Sequence, residues 1–187
     1  DATIRADVVR WGEIARKVRA TAPDLPILIS PPAFGRTDFL PVMGASPVSG
    51  VVWCVHDYEP RAFTHHPENS AGIVMFGEGG EHTFAGRLDR VMTGDAPVFL
   101  GEFGASRWAQ GVDDYYAARI AACEARGVNW AAFRWPTQDA AYEQSDSMFS
   151  LLASGGWMGS EPAIGTLRPA WAQNGRRPGN AQLRGRN

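Results

Sequence analysis

Four short apolar runs recur along this chain, separated by amphipathic stretches. They are Leu25-Pro-Ile-Leu-Ile29, Val51-Val-Trp-Cys-Val55, Pro97-Val-Phe-Leu100 and Val128-Asn-Trp-Ala-Ala-Phe133. A strand without polar alternation has to be covered on both faces, as the strands of a parallel sheet are when helices lie outside it. The stretches between them have helical period. Residues 2–21 place Ile4, Val8, Trp11, Ile14 (with Ala15) and Val18 at spacings of three and four, which predicts an amphipathic helix stopped by Pro23. Arg5, Arg10, Arg16, Lys17 and Arg19 fall mainly off that stripe and read as solvated. Residues 81–93 predict a helix around Phe84, Leu88 and Val91. Residues 111–126 predict one with Tyr115, Ile120 and Cys123 inward, and residues 161–173 one resting on Ile164, Leu167 and Trp171. The fold class is therefore α/β with a parallel sheet. Four strands and about four helices, helix first, leave two architectures: a small open sheet, or half of an eight-fold (β/α) barrel. In both, ligands bind at the carboxyl ends of the strands.

Residues 30–49, rich in Pro, Gly and Ser, read as loop. So do residues 56–80, a stretch long enough to suggest function, and the polar segment 135–147. The working division is one domain over 1–173 and an Arg- and Gly-rich, disordered tail over 174–187. The chain opens at Asp1 with no signal peptide, as a processed chain or a piece of something longer would. Its formal charge of -2 gives no pull toward nucleic acid or an anionic membrane surface. No apolar run approaches the roughly 18 residues of a membrane span. Cys54 and Cys123 are too few for a disulfide framework and read as packed thiols, with a bond between them left open. No metal is expected: His65, His66 and His82 with Glu68 match no standard ligand spacing. No cofactor is expected either, because phosphate-loop and dinucleotide signatures are absent, and the Gly-x-Ser-x-Gly elbow of serine hydrolases is absent too.

Function is read from the residues just past each strand. After Val55 come His56, Asp57, Tyr58, Glu59 and Pro60. After Leu100 come Gly101, Glu102, Phe103 and Gly104. After Phe133 come Arg134, Trp135 and Pro136. Neighbouring strands thus bring an imidazole and a phenol, a carboxylate, and an indole to one rim. A phenol hydroxyl orients a carboxylate and helps keep it ionised. An indole face matches the C–H face of a sugar ring. A carboxylate so placed can attack an anomeric carbon and form a covalent glycosyl intermediate. Trp53 and Trp130 read as core and Trp108 as either rim or core, while Asp57 and His66 have solvation as their plain reading.

These segments resemble glycoside hydrolase family 5. His56-Asp-Tyr-Glu-Pro-Arg-Ala-Phe-Thr-His65 is similar to the family's sixth-strand segment, and Val98-Phe-Leu-Gly-Glu-Phe-Gly-Ala105 to its seventh-strand nucleophile segment. Asn129-Trp-Ala-Ala-Phe-Arg-Trp135 stands where the eighth strand ends in a subsite tryptophan. The resemblance runs over about residues 1–155. It implies Glu102 as nucleophile, His56 and Tyr58 lining the site, and Trp135 as sugar platform, in a cellulase-like retaining β-glycanase acting on β-linked oligo- or polysaccharide. It also implies an extracellular or periplasmic location.

The departures matter as much. The family's acid/base Glu lies in an Asn-Glu-Pro segment after the fourth strand, and this chain contains no Asn-Glu-Pro. Matching segments in order makes the chain strands five to eight, the C-terminal half of the barrel. A full barrel takes about 250 residues. Without a proton donor, the general acid/base contribution of about 10²–10⁴-fold is lost. Glu59, Glu78, Glu81, Asp139 and Asp146 fall on rim loops, but nothing in the sequence places any of them near Glu102. Half a barrel needs a partner surface, supplied by a complementary N-terminal half or by self-association. The alternatives to a catalytic half are a non-catalytic glycan-binding half-barrel and a purely structural one.

Overall fold

In the computed structural model, which describes residues 2–65, 76, 83–92, 94–135, 147–151 and 162–173, the four apolar runs pair in chain order. They form one sheet: β1 (Ile27–Ile29), β2 (Val51–Asp57), β3 (Val98–Phe103) and β4 (Asn129–Ala132). Every pairing is parallel. The α/β class with a parallel sheet, expected from the alternation, is what forms, in the strand order the half-barrel reading requires. β3 runs three residues further than its apolar run, so Glu102 lies within the strand.

The helices expected from periodicity are present as α1 (Ala2–Thr21), α4 (Phe84–Val91), α5 (Val112–Arg126) and α6 (Pro162–Trp171). Their ends obey local chemistry. The Thr83 side chain caps α4 by accepting from the Gly86 N–H at 3.0 Å. α5 carries Asp113 and Asp114 in its first turn and Arg126 in its last, and it ends at Gly127 with φ of 65°. The stretch 30–49, expected as loop, instead holds a one-turn segment, α2 (Pro32–Gly35), whose Ala33, Phe34 and Gly35 are left-handed with φ of 55°, 63° and 76°, and a 3₁₀ helix, Thr37–Met43. Burial of Leu40 and Met43 favours the compact 3₁₀ turns. A further short helix, α3 (Arg61–Thr64), comes after β2.

The expected stripe of α1 is covered in part. Ala15 is buried beside Gly12, Val8 packs against the core, and Ile4 and Val18 are half-buried. Trp11 and Ile14 are exposed, so this part of the stripe is left without cover among the described residues. Arg19 is not simply solvated: Nε and Nη2 donate to the Ser49 carbonyl at 3.1 and 2.7 Å, tying α1 to the approach of β2.

The two faces of the sheet differ. On the outer face Ile29, Val51, Trp53, Val55, Val98 and Leu100 are buried, continuous with Phe84, Leu88 and Tyr115 from the helices. α6 lies along α5 and adds Ile164 and Leu167, while Trp171 is only partly buried. The inner face is open. Leu28 is 55% exposed, Val52, Cys54 and Phe99 are half-buried, and Asn129 and Ala131 are exposed. Cys54 and Cys123 are free thiols, so no bond joins them. No helix among the described residues is long and apolar enough to cross a membrane. The 174–187 tail and the polar loop residues 136–146 lie outside the described residues.

Candidate active site

The aim of Glu102 is set by an irregularity in the sheet. Up to Val55↔Leu100, β2 and β3 pair in step; the next pair is His56↔Glu102, not His56↔Gly101. Gly101 is therefore an extra residue, a β-bulge. Side chains alternate along a strand, so one unpaired residue turns every later one to the other face. Without the bulge Glu102 would share the buried side with Leu100. With it, Glu102 joins His56 on the inner face, and Phe103 returns to the outer core, fully buried. Only glycine fits at this point. A Cβ at Gly101 would collide with Cys54 Sγ, and one at Gly104 would collide with the Phe133 carbonyl oxygen. The Gly-Glu-Phe-Gly spacing thus marks two close approaches flanking the carboxylate.

Around Glu102 the residues proposed from β2 converge. Tyr58 Oη donates to Glu102 Oε2 at 3.0 Å. His56 Nδ1 lies 3.7 Å from the same oxygen. Burial, then the charge of Glu102 and the hydrogen bond to it, push the Tyr58 hydroxyl well above the usual phenol range, so it remains a donor. Burial also raises the Cys54 thiol, with a hydrogen bond to Ser30 opposing and Glu102 adding to the rise. The Tyr58 ring is held edge-on by His65 and Phe149, with centroids 5.8 and 5.4 Å away.

A cavity of about 320 Å³ opens over Glu102. His56, Tyr58, Glu59, His65, Phe34 and Arg36 are among the side chains around it. Glu59, which sequence could not place near Glu102, is here in the same cavity. Phe34 is 93% exposed on a left-handed backbone, with φ of 63° and Ala33 before it at 55°. Arg36 reaches Asp38 at 3.0 Å and Glu59 at 3.6 Å. Burial, and then nearby Arg61, lower the His65 imidazole below its ordinary value, with Glu59 opposing. Phe34, Arg36 and His65 were missed as site residues. The signal was the strand order: the segment after β1 must lie beside the end of β2, and it does, through an Arg36↔His56 bridge and the Thr37 hydroxyl donating to the His56 carbonyl at 3.1 Å.

Trp135 is not brought into this cavity. It is 52% exposed, past the backbone link in which Phe133 N–H donates to the Phe103 carbonyl at 2.8 Å. Asp57 corrects a second expectation: it is 2% exposed, paired with Arg87 and Arg119, and not solvated. Trp53 is core as expected, and Trp130 packs against the core with its Nε1–H donating to Glu124. Trp108 lies under the Arg107 guanidinium, 5.3 Å from its ring centre. Among the described residues no three His, Cys, Asp or Glu gather to hold a metal. His66, His82, Glu68, Glu78, Glu81, Asp139 and Asp146 lie outside the described residues.

A family model described as cellulase, glycosyl hydrolase family 5, matches residues 3–139. This chain belongs to glycosyl hydrolase family 5. Among solved structures, it is similar to endoglucanase Cel5A from Thermotoga maritima, at 18% identity and a TM-score of 0.66, over 86% of this chain and 54% of that one. The cellulose synthase subunit Z of Clostridioides difficile is similar at 20% identity and a TM-score of 0.63, over 83% and 53%. A hyperthermophilic endo-beta-1,4-glucanase in complex with substrate is similar at 18% identity and 0.60, over 84% and 55%. No curated protein matches the chain. The family 5 chain thus spans about half the length of these solved relatives.

Proposed function

We propose that this family 5 chain is the half of a retaining β-glycanase that carries the nucleophile, Glu102. The observation that carries the reading is the inner-facing carboxylate with the Tyr58 phenol 3.0 Å from one of its oxygens. In the reaction, the other carboxylate oxygen attacks the anomeric carbon as the glycosidic bond breaks, forming a covalent glycosyl-enzyme that water then cleaves. The phenol, bonded to one carboxylate oxygen, fixes the direction of attack. His56 lines the same side, and Trp135, exposed outside this cavity, would serve only a sugar ring that lies beyond it.

Retention needs a second carboxyl group about 5–5.5 Å from the first, one that protonates the leaving oxygen and then activates water. In this reading that group comes from the barrel half this chain does not span. The open inner face, with Leu28 55% exposed, and the uncovered Trp11–Ile14 stripe of α1 support a complementary half seated there. Two copies closing on each other are the competing arrangement, and light scattering on the purified chain separates the two. The substrate class is a β-linked glucan or related glycan, met outside the cell or in a periplasm.

The test is a 2-deoxy-2-fluoro β-glycoside given to the completed barrel. The expected result is a stoichiometric covalent label on Glu102, with turnover abolished and binding kept in Glu102→Gln. A label elsewhere, or turnover retained by Glu102→Gln, overturns the assignment.

A further inference from the structure

We infer that the buried cluster Asp57–Arg87–Arg119 positions the site: it sets Tyr58, and through Tyr58 the aim of Glu102. The inference rests on the reading of Glu102 as the nucleophile only for its meaning. The geometry is independent of it.

Asp57 is the last residue of β2; it borders the cavity, and its carboxylate is buried on the outer side against α4 and α5. Its carboxylate makes a fork-to-fork contact with Arg87 of α4: Nε donates to Oδ2 at 2.9 Å and Nη2 to Oδ1 at 2.8 Å. Arg119 of α5, fully buried, donates from Nη2 to Oδ1 at 3.3 Å. The strand end is thus pinned to the helices on both sides of β3. A buried ion cluster of this kind is weak as a source of stability, because desolvating the charges costs much of what their attraction returns. What it supplies is a fixed geometry.

That geometry is transmitted over two residues. Asp57 Oδ1 also accepts from the Glu59 backbone N–H at 3.3 Å, closing a turn with Tyr58 at its apex. Arg119 Nη2 donates to the Glu59 carbonyl on the far side of the same turn. The Tyr115 hydroxyl holds the Asp57 carbonyl at 3.2 Å, and the Thr64 hydroxyl holds the Tyr58 carbonyl at 2.6 Å. The backbone on either side of Tyr58 is therefore held by side chains, and its phenol has little choice but to meet Glu102. Arg119 is fixed in turn, with its guanidinium 4.0 Å from the Tyr115 ring centre and 5.2 Å from that of Phe84. A chain that needed only a packed core here would place an apolar residue at position 57, as it does at Val55 and Phe103.

The experiment labels the chain with ¹³Cζ-tyrosine and tracks the Tyr58 resonance, assigned by its loss in Tyr58→Phe. Glu102→Ala gives the position of that resonance when the acceptor is missing. In Asp57→Asn and in Arg119→Lys the Tyr58 resonance is expected to move at least half of the way to that position, while that of Tyr116, buried against Phe103, stays in place. A Tyr58 resonance that stays in place in both folded variants overturns the inference. So does a common drift of Tyr58 and Tyr116, which is what general loosening would give. If neither variant folds, the cluster holds the domain and not the rim, and the inference also fails. None of these readouts needs turnover, so a failed fluoroglycoside label would count against the nucleophile alone.

Discussion

The outer and inner faces of this sheet are made by the same strands and solved by different means. The outer face is finished: Leu100, Val55, Phe103 and Tyr115 are fully buried, and even its charged residue, Asp57, has its partners. The inner face carries the proposed site and remains half-exposed, among the described residues, from Leu28 through Cys54 to Ala131. The comparison teaches that stability and the proposed site are assigned to opposite sides, and that among the described residues only one side is complete.

The largest contrast is between two leucines. Leu100→Ala on the outer face is expected to cost about 2–5 kcal/mol, whereas Leu28→Ala on the inner face stays within about 0.5 kcal/mol, both by urea unfolding of this chain. Equal losses would mean that the inner face is covered in solution. A second test sits where the faces exchange residues. Gly101→Ala should cost about 1–3 kcal/mol, because its methyl group meets Cys54. Adding Cys54→Ala should recover most of the loss in a double-mutant cycle, and no recovery would refute the clash. Removing the cap of an outer helix is smaller still: Thr83→Ala should cost about 1 kcal/mol in the same unfolding assay.

The smallest effect is a pH dependence on the inner side. Burial, then Arg61, hold the His65 imidazole below its ordinary value of 6.5. The unfolded chain therefore binds this proton more readily than the folded one. Stability is complete above pH 6.5 and falls as pH drops through that value. His65→Gln should remove this part of the slope, and an unchanged slope would show that another group causes it.

Much of the outer face was legible in the sequence, because periodicity reports burial directly. Phe84, Leu88 and Val91 all proved inward, as did Tyr115, Ile120 and Cys123. Helix α1 was placed by the same signal, and only part of its apolar stripe packs: Val8 and Ala15 do, while Trp11 and Ile14 are exposed. Periodicity finds an apolar stripe; it does not say whether anything in the chain covers it. In the site, Glu102, His56 and Tyr58 came together because residues at the ends of adjacent parallel strands must share a rim. The left-handed turn that displays Phe34 has no pattern in a single sequence. The burial of Asp57 depends on Arg87 and Arg119, distant residues on two helices that no local rule connects to it.

One consequence of the extra residue in β3 concerns anyone who would re-engineer this protein. The carboxylate faces the cavity because of a count along the backbone, before any matter of acidity arises. Pairing Gly101 in step with His56, with no residue removed, would hand the same acid to the dry layer beneath the helices, whereas deleting 101 would leave it on the inner face. A grafted strand that paired without the bulge could thus keep every residue of the segment and still turn its acid away from the cavity.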